Sequence, residues 1–138
     1  MERALMIIKP DGSDYGQQFT FDLASRLLNI GIINNRLLTM RLTTEQAEEF
    51  YKEHEGKWFH QRLIEHMTSG LIHVSILEGE GVIQKWRDLM GPTDPKVAPK
   101  GTIRGDYGTE LPKNVVHGSD SVESAEREIR FFFGSGII

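Results

Sequence analysis

The chain has no cysteine among its 138 residues, which removes several chemistries at once. Without thiols there is no disulfide framework, no cysteine-ligated zinc, no iron–sulfur cluster and no thiol nucleophile, whichever compartment the protein occupies. Any nucleophile is then His, Ser, Thr, Lys or a carboxylate. An excess of positive charge is missing too: 16 Lys and Arg stand against 20 Asp and Glu, a formal net charge of -4. That balance disfavours coating of nucleic acid or anionic membrane by bulk attraction, which selects a basic face. It leaves room for a small anion held by a few placed cations. Long hydrophobic runs are also lacking. The run from Ala4 to Ile8 is too short for a secretion signal and is closed by Lys9 and Pro10. No stretch approaches the ~20 apolar residues of a membrane span, so the expectation is a soluble cytoplasmic protein with no membrane partner. No repeat, low-complexity tract or linker marks a boundary. A chain of this length buries roughly 70% of the surface its unfolded form exposes, and residues 1–138 are expected to form a single domain.

What is present is an ordered alternation of hydrophobic periods. Ala4 to Ile8 reads as a strand covered on both faces. Phe19, Leu23, Leu27 and Ile30 recur at helical spacing and stop near Gly31. Ile32 to Leu42 reads as a strand, and Thr43-Thr-Glu-Gln46 has the spacing of a capping box ahead of Ala47, Phe50 and Tyr51. A helix is expected over Phe59 to Met67, a strand over Ile72 to Leu77, and a helix over Val82 to Met90. A short strand follows over Asn114 to His117, and a last helix over Ser121 to Phe133. The order predicts an α+β chain with a ferredoxin-like βαββαβ sandwich, its antiparallel sheet carrying helices on one face. Gly91 to Lys113 shows little periodicity and holds three of the five prolines, with a fourth near its end. Long unstructured segments of this kind are usually functional or disordered. It carries Thr93, Lys96, Lys100, Arg104 and Lys113, which makes it the first place to seek an anion site.

Three segments carry chemical interest. Lys9-Pro-Asp-Gly12 ends the first strand; by itself it is ordinary turn chemistry, although strand ends in α/β folds often present ligand groups. It lacks P-loop spacing. Gly101-Thr-Ile-Arg104-Gly-Asp106 places an Arg between glycines, suited to a bidentate phosphate contact. The bland alternative is a surface Arg–Asp pair worth ~0 to 1 kcal/mol. Asn114-Val-Val-His117-Gly-Ser-Asp120-Ser121 runs from a strand directly into the last helix. An imidazole there titrates near pH ~6.5 unless perturbed and can act as a neutral nucleophile. Glu128, beside the Ala125 and Ile129 stripe, would orient it if the two met. Alternatively His117 is a core or interface residue, with Asp120 or Ser121 capping the helix. His54, His60, His66 and His73 show no metal-ligand spacing and read as surface or boundary residues.

Taken together, Lys9-Pro-Asp-Gly12, Gly101-Thr-Ile-Arg-Gly-Asp106, Asn114-Val-Val-His-Gly-Ser-Asp-Ser121 and Glu123-Ser-Ala-Glu-Arg-Glu128 closely resemble the nucleoside diphosphate kinase family. The match runs in order over essentially the whole chain, and Asn-x-x-His-Gly-Ser-Asp is its most specific part. The resemblance implies ping-pong transfer of the γ-phosphate of a nucleoside triphosphate, typically ATP, to a nucleoside diphosphate. The intermediate would be a phosphohistidine on the pros nitrogen of His117. By the family match Lys9 contacts the γ-phosphate and ribose, Arg87, Thr93 and Arg104 the phosphates, and Asn114 the ribose. Tyr51 lies beside the nucleophile, and Glu128 and Ser119 orient it. Phe59 and Leu111 clamp the base, and because an aromatic face reads no hydrogen-bond pattern, broad base specificity follows. Mg²⁺ is implied as cofactor, carried mainly by the nucleotide phosphates, with Asp120 reaching it through water. The implied partners are nucleoside tri- and diphosphates (ATP, GTP, ribo- and deoxyribonucleoside diphosphates) and further copies of the chain, as a homo-oligomer of hexamer or tetramer type. No nucleic acid is required.

The sequence departs from the family pattern in three places. Ser13-Asp14-Tyr15 precedes Gly16, and Gln17 to Asp22 is about two residues longer than usual. Gly56-Lys57-Trp58-Phe59-His60 replaces the more usual Arg-Pro-Phe-Phe, which makes Trp58 a competitor of Phe59 for the base. The chain ends at Phe131-Phe-Phe-Gly-Ser-Gly-Ile-Ile138 without the longer tail some members carry. Two rival readings share the fold: a catalytically silent nucleotide- or nucleic-acid-binding module, and a hydrolase that yields its phosphohistidine to water.

Overall fold

The computed structural model describes residues 2–134; Ser135 to Ile138, and with them the end of the tail noted above, lie outside the described residues. Four strands, β1 (Arg3–Ile8), β2 (Ile33–Met40), β3 (Ile72–Glu78) and β4 (Val116–Gly118), form one sheet in the order β2-β3-β1-β4. All three pairings are antiparallel. This is the ferredoxin-like arrangement expected from the sequence. It places Ile7 of β1 opposite His117 of β4, so the end of the first strand and the Asn114–Ser121 segment meet although they are far apart in the chain.

The helices are α1 (Pro10–Asp14), α2 (Gln17–Asn29), α3 (Thr44–Phe50), α4 (His60–Met67), α5 (Val82–Met90), α6 (Ile103–Tyr107) and α7 (Val122–Phe133). They do not lie on one face of the sheet, and that detail of the expectation is corrected. Strand side chains alternate. Ala4, Met6 and Ile8 pack with Phe19, Leu23 and Leu27 of α2 and with Val82 and Trp86 of α5. Leu5 and Ile7 pack with Ala47 and Phe50 of α3, Leu63, Ile64 and Met67 of α4, and Ile129 of α7. The unbroken apolar β1 needs both covers, because each of its faces would otherwise expose a row of large side chains. Full burial of a side chain such as Phe19 or Leu5 stabilises by about 1.5–3 kcal/mol.

The local signals behave as their chemistry dictates. The Thr43 hydroxyl accepts from the Gln46 N–H while the Gln46 side chain accepts from the Thr43 N–H, closing the capping box at α3. Ser121 caps α7 in the same way with Ser124.

Three segments differ from the sequence reading. Pro10-Asp-Gly opens a short helix, not a plain turn, because Pro at the first helical position has φ already set and needs no N–H donor. The fourth strand starts at Val116, not Asn114. Val115 has φ 65°, and the Val116 N–H donates to the Asn114 carbonyl at 2.8 Å, a three-residue turn that peels Asn114 off the sheet. The Gly91 to Lys113 segment is also less irregular than its composition suggests. It contains a 3-10 turn at Pro95–Val97 and α6, whose first turn is capped by Thr102 accepting from Gly105. Both are too short to show a period.

Candidate active site

Near the carboxyl end of β1 lies a cleft of about 710 Å³. Its wall includes Lys9, Tyr51, Phe59, Arg87, Thr93, Arg104, Leu111, Asn114, His117, Asp120 and Glu128. Every residue that the family resemblance assigned to the site is thereby brought to one cavity except Ser119, which is fully buried behind it, whereas Lys96, Lys100 and Lys113, noted on the long segment as candidates for an anion site, are not part of the wall.

His117 sits on the short β4, facing the buried side of α7. Its Nε2 lies 2.9 Å from Glu128 Oε1. Ser119 Oγ donates to the same oxygen at 2.9 Å and accepts from the Leu5 N–H at 2.9 Å, so Ser119 acts on the carboxylate and not on the imidazole directly. Burial pushes the Glu128 carboxyl up, but the His117 charge and the hydrogen bonds from His117 and Ser119 outweigh it and hold the group below its ordinary range. An ionised carboxylate only accepts, so Nε2 carries a proton, and in the neutral imidazole the free lone pair is that of Nδ1. Phe50 and Tyr51 meet the ring edge-on at 5.4 and 6.4 Å between centroids. The Tyr51 hydroxyl is buried without a hydrogen-bond partner among the described residues. Burial and the Glu128 charge push its pKa up, so it stays a neutral donor.

The cations are held by the turn at Val115. Lys9 Nζ donates to Asn114 Oδ1 at 2.7 Å, and Asn114 Nδ2 donates to the Thr93 carbonyl at 2.9 Å. Arg104 donates to the carbonyls of Asn114, Gly91 and Val116 at 3.2, 3.0 and 2.8 Å. One N–H on each terminal guanidinium nitrogen remains for a ligand. Burial first, then the charge of Arg104, brings the Lys9 ammonium down to about 7. Burial and Arg87 bring Arg104 down to about 10. Like charges gathered in a desolvated place are unfavourable until an anion arrives. A β-branched residue at positive φ, as at Val115, costs on the order of 1–3 kcal/mol, so the site holds both electrostatic and conformational strain.

The outer part of the cleft is looser. Arg87, on the last turn of α5, is exposed and lies 3.6 Å from Asp120. Phe59, half-buried, is the N-cap residue of α4, with Lys57 Nζ 5.9 Å above its ring and His54 at 5.5 Å. Trp58 also lines the cleft but is 80% exposed and stands edge-on to Phe59 at 88°. Leu111 faces them from the long segment. Of the wall residues not picked out for the site from the sequence, His54 and Arg62 bear most on it. His54 stacks on Tyr51 at 6.2 Å with a buried Nδ1 that has no hydrogen-bond partner among the described residues, and Arg62 lies on the first turn of α4. Spacing could have found Arg62, three residues after Phe59 on a helix, but nothing marked His54.

With this geometry in place, the comparisons with known proteins become informative. The family model for nucleoside diphosphate kinase matches residues 2–137. The chain belongs to the nucleoside diphosphate kinase family. A nucleoside diphosphate kinase of Staphylothermus marinus is 52% identical over 132 residues, covering 96% of this chain and 92% of that one. The Aquifex aeolicus nucleoside diphosphate kinase crystal structure superposes with a TM-score of 0.89 at 41% identity, covering 99% of this chain and 98% of that one. That of Halobacterium salinarum in complex with CDP gives 0.91 at 40% identity, over 98% of this chain and 89% of that one. This kinase is therefore a phosphotransferase acting on nucleoside phosphates, on the ferredoxin-like fold. Among the described residues no helix is long and apolar enough to cross a membrane.

Proposed function

We propose that transfer proceeds by two in-line displacements at Nδ1 of His117. The Nδ1 lone pair attacks the γ-phosphorus of a nucleoside triphosphate, the bond to the β,γ-bridging oxygen breaks, and the diphosphate leaves. A second nucleoside diphosphate then attacks the phosphohistidine, and its terminal oxygen takes the phosphoryl group as the P–N bond breaks. The observation that carries this reading is the His117–Glu128 contact, which fixes the protonated nitrogen and leaves Nδ1 as the nucleophile. Glu128 stabilises the positive charge that develops on the imidazole. Charge on the transferring phosphoryl is spread over its equatorial oxygens, so the remaining work is positioning and electrostatic stabilisation. Lys9 and the free N–H groups of Arg104 serve that charge, Arg87 and Thr93 hold the outer phosphates, and Asn114 holds the ribose. Phe59 and Leu111 enclose the base. Phe59 is preferred to Trp58 because it is half-buried and held by neighbours, whereas a base stacked flat on Phe59 would stand perpendicular to the Trp58 ring.

The residues present fit Mg²⁺ carried by the nucleotide. No group of three or more potential ligands is gathered among the described residues, and Asp120 is an exposed carboxylate at the cleft, as are Glu53 and Asp88. That donor set suits an ion which keeps waters and takes few protein ligands. When bound, the ion neutralises phosphate charge.

Residues 1–138 act as one domain in this reading, and the chain self-associates. Phe21 and Leu28, seven apart on α2, are 70% and 72% exposed, and Leu37 on the edge strand β2 is 71% exposed. An edge with apolar side chains is a pairing surface, and light scattering that returned a monomer would refute this part.

Incubation with γ-labelled ATP tests the chemistry. The expected product is an acid-labile, base-stable phosphoenzyme that added diphosphate discharges to triphosphate. Absence of label, or equal label in His117→Ala, would refute it, and discharge to free phosphate without acceptor would point to a hydrolase.

A further inference from the structure

We propose that Asp11 and His66 are positioning residues for phosphoryl transfer, acting through the turn at Val115. This rests on the reading of His117, Lys9, Arg104 and Asn114 given above. Asp11, in the first turn of α1, uses its two carboxylate oxygens on opposite sides. Oδ2 accepts from the Val115 N–H at 3.0 Å, and Oδ1 lies 2.8 Å from Nε2 of His66 on the last turn of α4. Neither Asp11 nor His66 belongs to the cleft wall.

The turn they hold is tightly constrained backbone. Val115 is fully buried and left-handed at φ 65°, a conformation a β-branched residue keeps only when its surroundings impose it. All its polar groups are engaged. Lys9 N–H donates to the Val115 carbonyl at 2.8 Å, and Arg104 binds the carbonyls on either side. A Cβ at Gly12 would overlap the Val115 carbonyl, so α1 is seated directly against the turn. Asp11 supplies the remaining anchor, to the N–H of Val115 itself. The same turn presents Asn114 to Lys9 on one side and leads into Val116 and His117 on the other.

His66 adds a second connection. Helix α4 has Phe59 as its N-cap and His66 in its last turn, so the Asp11–His66 pair ties the helix that carries the base-binding ring to the turn that carries the phosphate-binding groups. The two walls of the cleft are thus coupled through Asp11. A displacement of reacting groups by a fraction of an ångström lowers transition-state stabilisation more than ground-state binding, so loss of the strut should appear in kcat more than in KM.

The test is single-turnover phosphorylation of His117 by ATP, with the rate expressed per labelled site. A purely structural defect lowers the labelled fraction but not the rate per site. Asp11→Ala is expected to slow the step at least tenfold with KM for ATP changed less than threefold. Asp11→Asn, whose amide oxygen still accepts from Val115 and whose NH₂ donates to Nε2 once His66 takes its Nδ1–H tautomer, should stay within threefold of the parent. His66→Phe should slow the step about threefold or more, and His66→Gln, which keeps a donor, should recover most of it. If Asp11→Ala does not fold, the Asp11→Asn and His66 variants carry the test. Parent-like rates in Asp11→Ala or His66→Phe, or equal losses in Asp11→Asn and Asp11→Ala, would overturn the proposal while leaving the role of His117 intact. Failure of the parent to label at His117 would instead overturn the reading on which it rests.

Discussion

At the scale of single residues, chemistry is set by which atoms are left unpaired. Glu128 pairs with one imidazole nitrogen of His117, and in the proposed mechanism the other is the nucleophile. A hydrogen bond to a charged group contributes about 1.5–3 kcal/mol, so Glu128→Gln should lower the rate of phosphoenzyme formation by roughly 10- to 150-fold, read by rapid quench. A change of less than threefold would remove Glu128 from the mechanism. Lys9 gives a second expectation. Its ammonium titrates near about 7 in the free protein, and a bound polyphosphate favours the charged form and raises that value. Nucleoside diphosphate binding therefore takes up a proton above pH 7, and affinity falls as pH rises from 7 toward the pKa of the complex. Calorimetry with ADP at pH 8, in buffers of different ionisation enthalpy, should show this uptake, and Lys9→Met should abolish it. Binding at pH 8 without proton uptake would contradict the assignment.

Elements position these residues, and their own stability is separable from the chemistry. The Ser121 cap of α7 contributes about 1 kcal/mol. Ser121→Ala should lower the melting temperature by a few degrees, on the order of 4–8 °C per kcal/mol in a small domain, with the kinetics of the folded enzyme retained. Gly118 is different. A Cβ there would overlap the Trp86 ring, whose Nε1 lies 3.4 Å from the His117 carbonyl. Gly118→Ala should thus destabilise by about 1–3 kcal/mol through overpacking and also displace His117. Thermal melts and phosphoenzyme rates should fall together, and a variant with the parent's melting temperature and rate would contradict this packing. Most elements were legible from sequence because their signals are local: a stripe of period 3.6, a capping box, a run of apolar residues. The exceptions have physical causes. α1 and α6 are five residues each, too short for a stripe. The start of β4 shifted because Val115 is left-handed, for which a valine gives no local signal.

At the scale of the molecule, a chain with net charge -4 concentrates Lys9, Arg87 and Arg104 around one cleft. Stability responds to pH through carboxylates such as Glu128, whose folded pKa lies below the ordinary value of a free glutamate. Its contribution is complete above the unfolded value and is lost as pH falls through the lower folded one. Replacement by Gln should flatten the acid limb of a stability–pH curve below about pH 4.5, measured by denaturant titration. An unchanged acid limb would exclude Glu128 as a contributor.

The sequence by itself determined the nucleophile class, the alternation of strands and helices, and the motif that singled out His117, because composition, periodicity and short spacing are properties of the chain. It also yielded Lys9, Arg104 and Asn114, through their place in recognisable segments. Only the tertiary structure decided that helices cover both faces of the sheet, that Ser119 works through Glu128, and that Asp11 and His66 brace the turn beside the nucleophile. Those facts depend on contacts between residues distant in the chain, as in Asp11–His66 and Leu5–Ser119, on the Ser119–Glu128 contact across the start of α7, or on a buried backbone held in a conformation its own residue disfavours. No local pattern encodes such contacts, since they exist only once the sheet has brought β1 and β4 side by side.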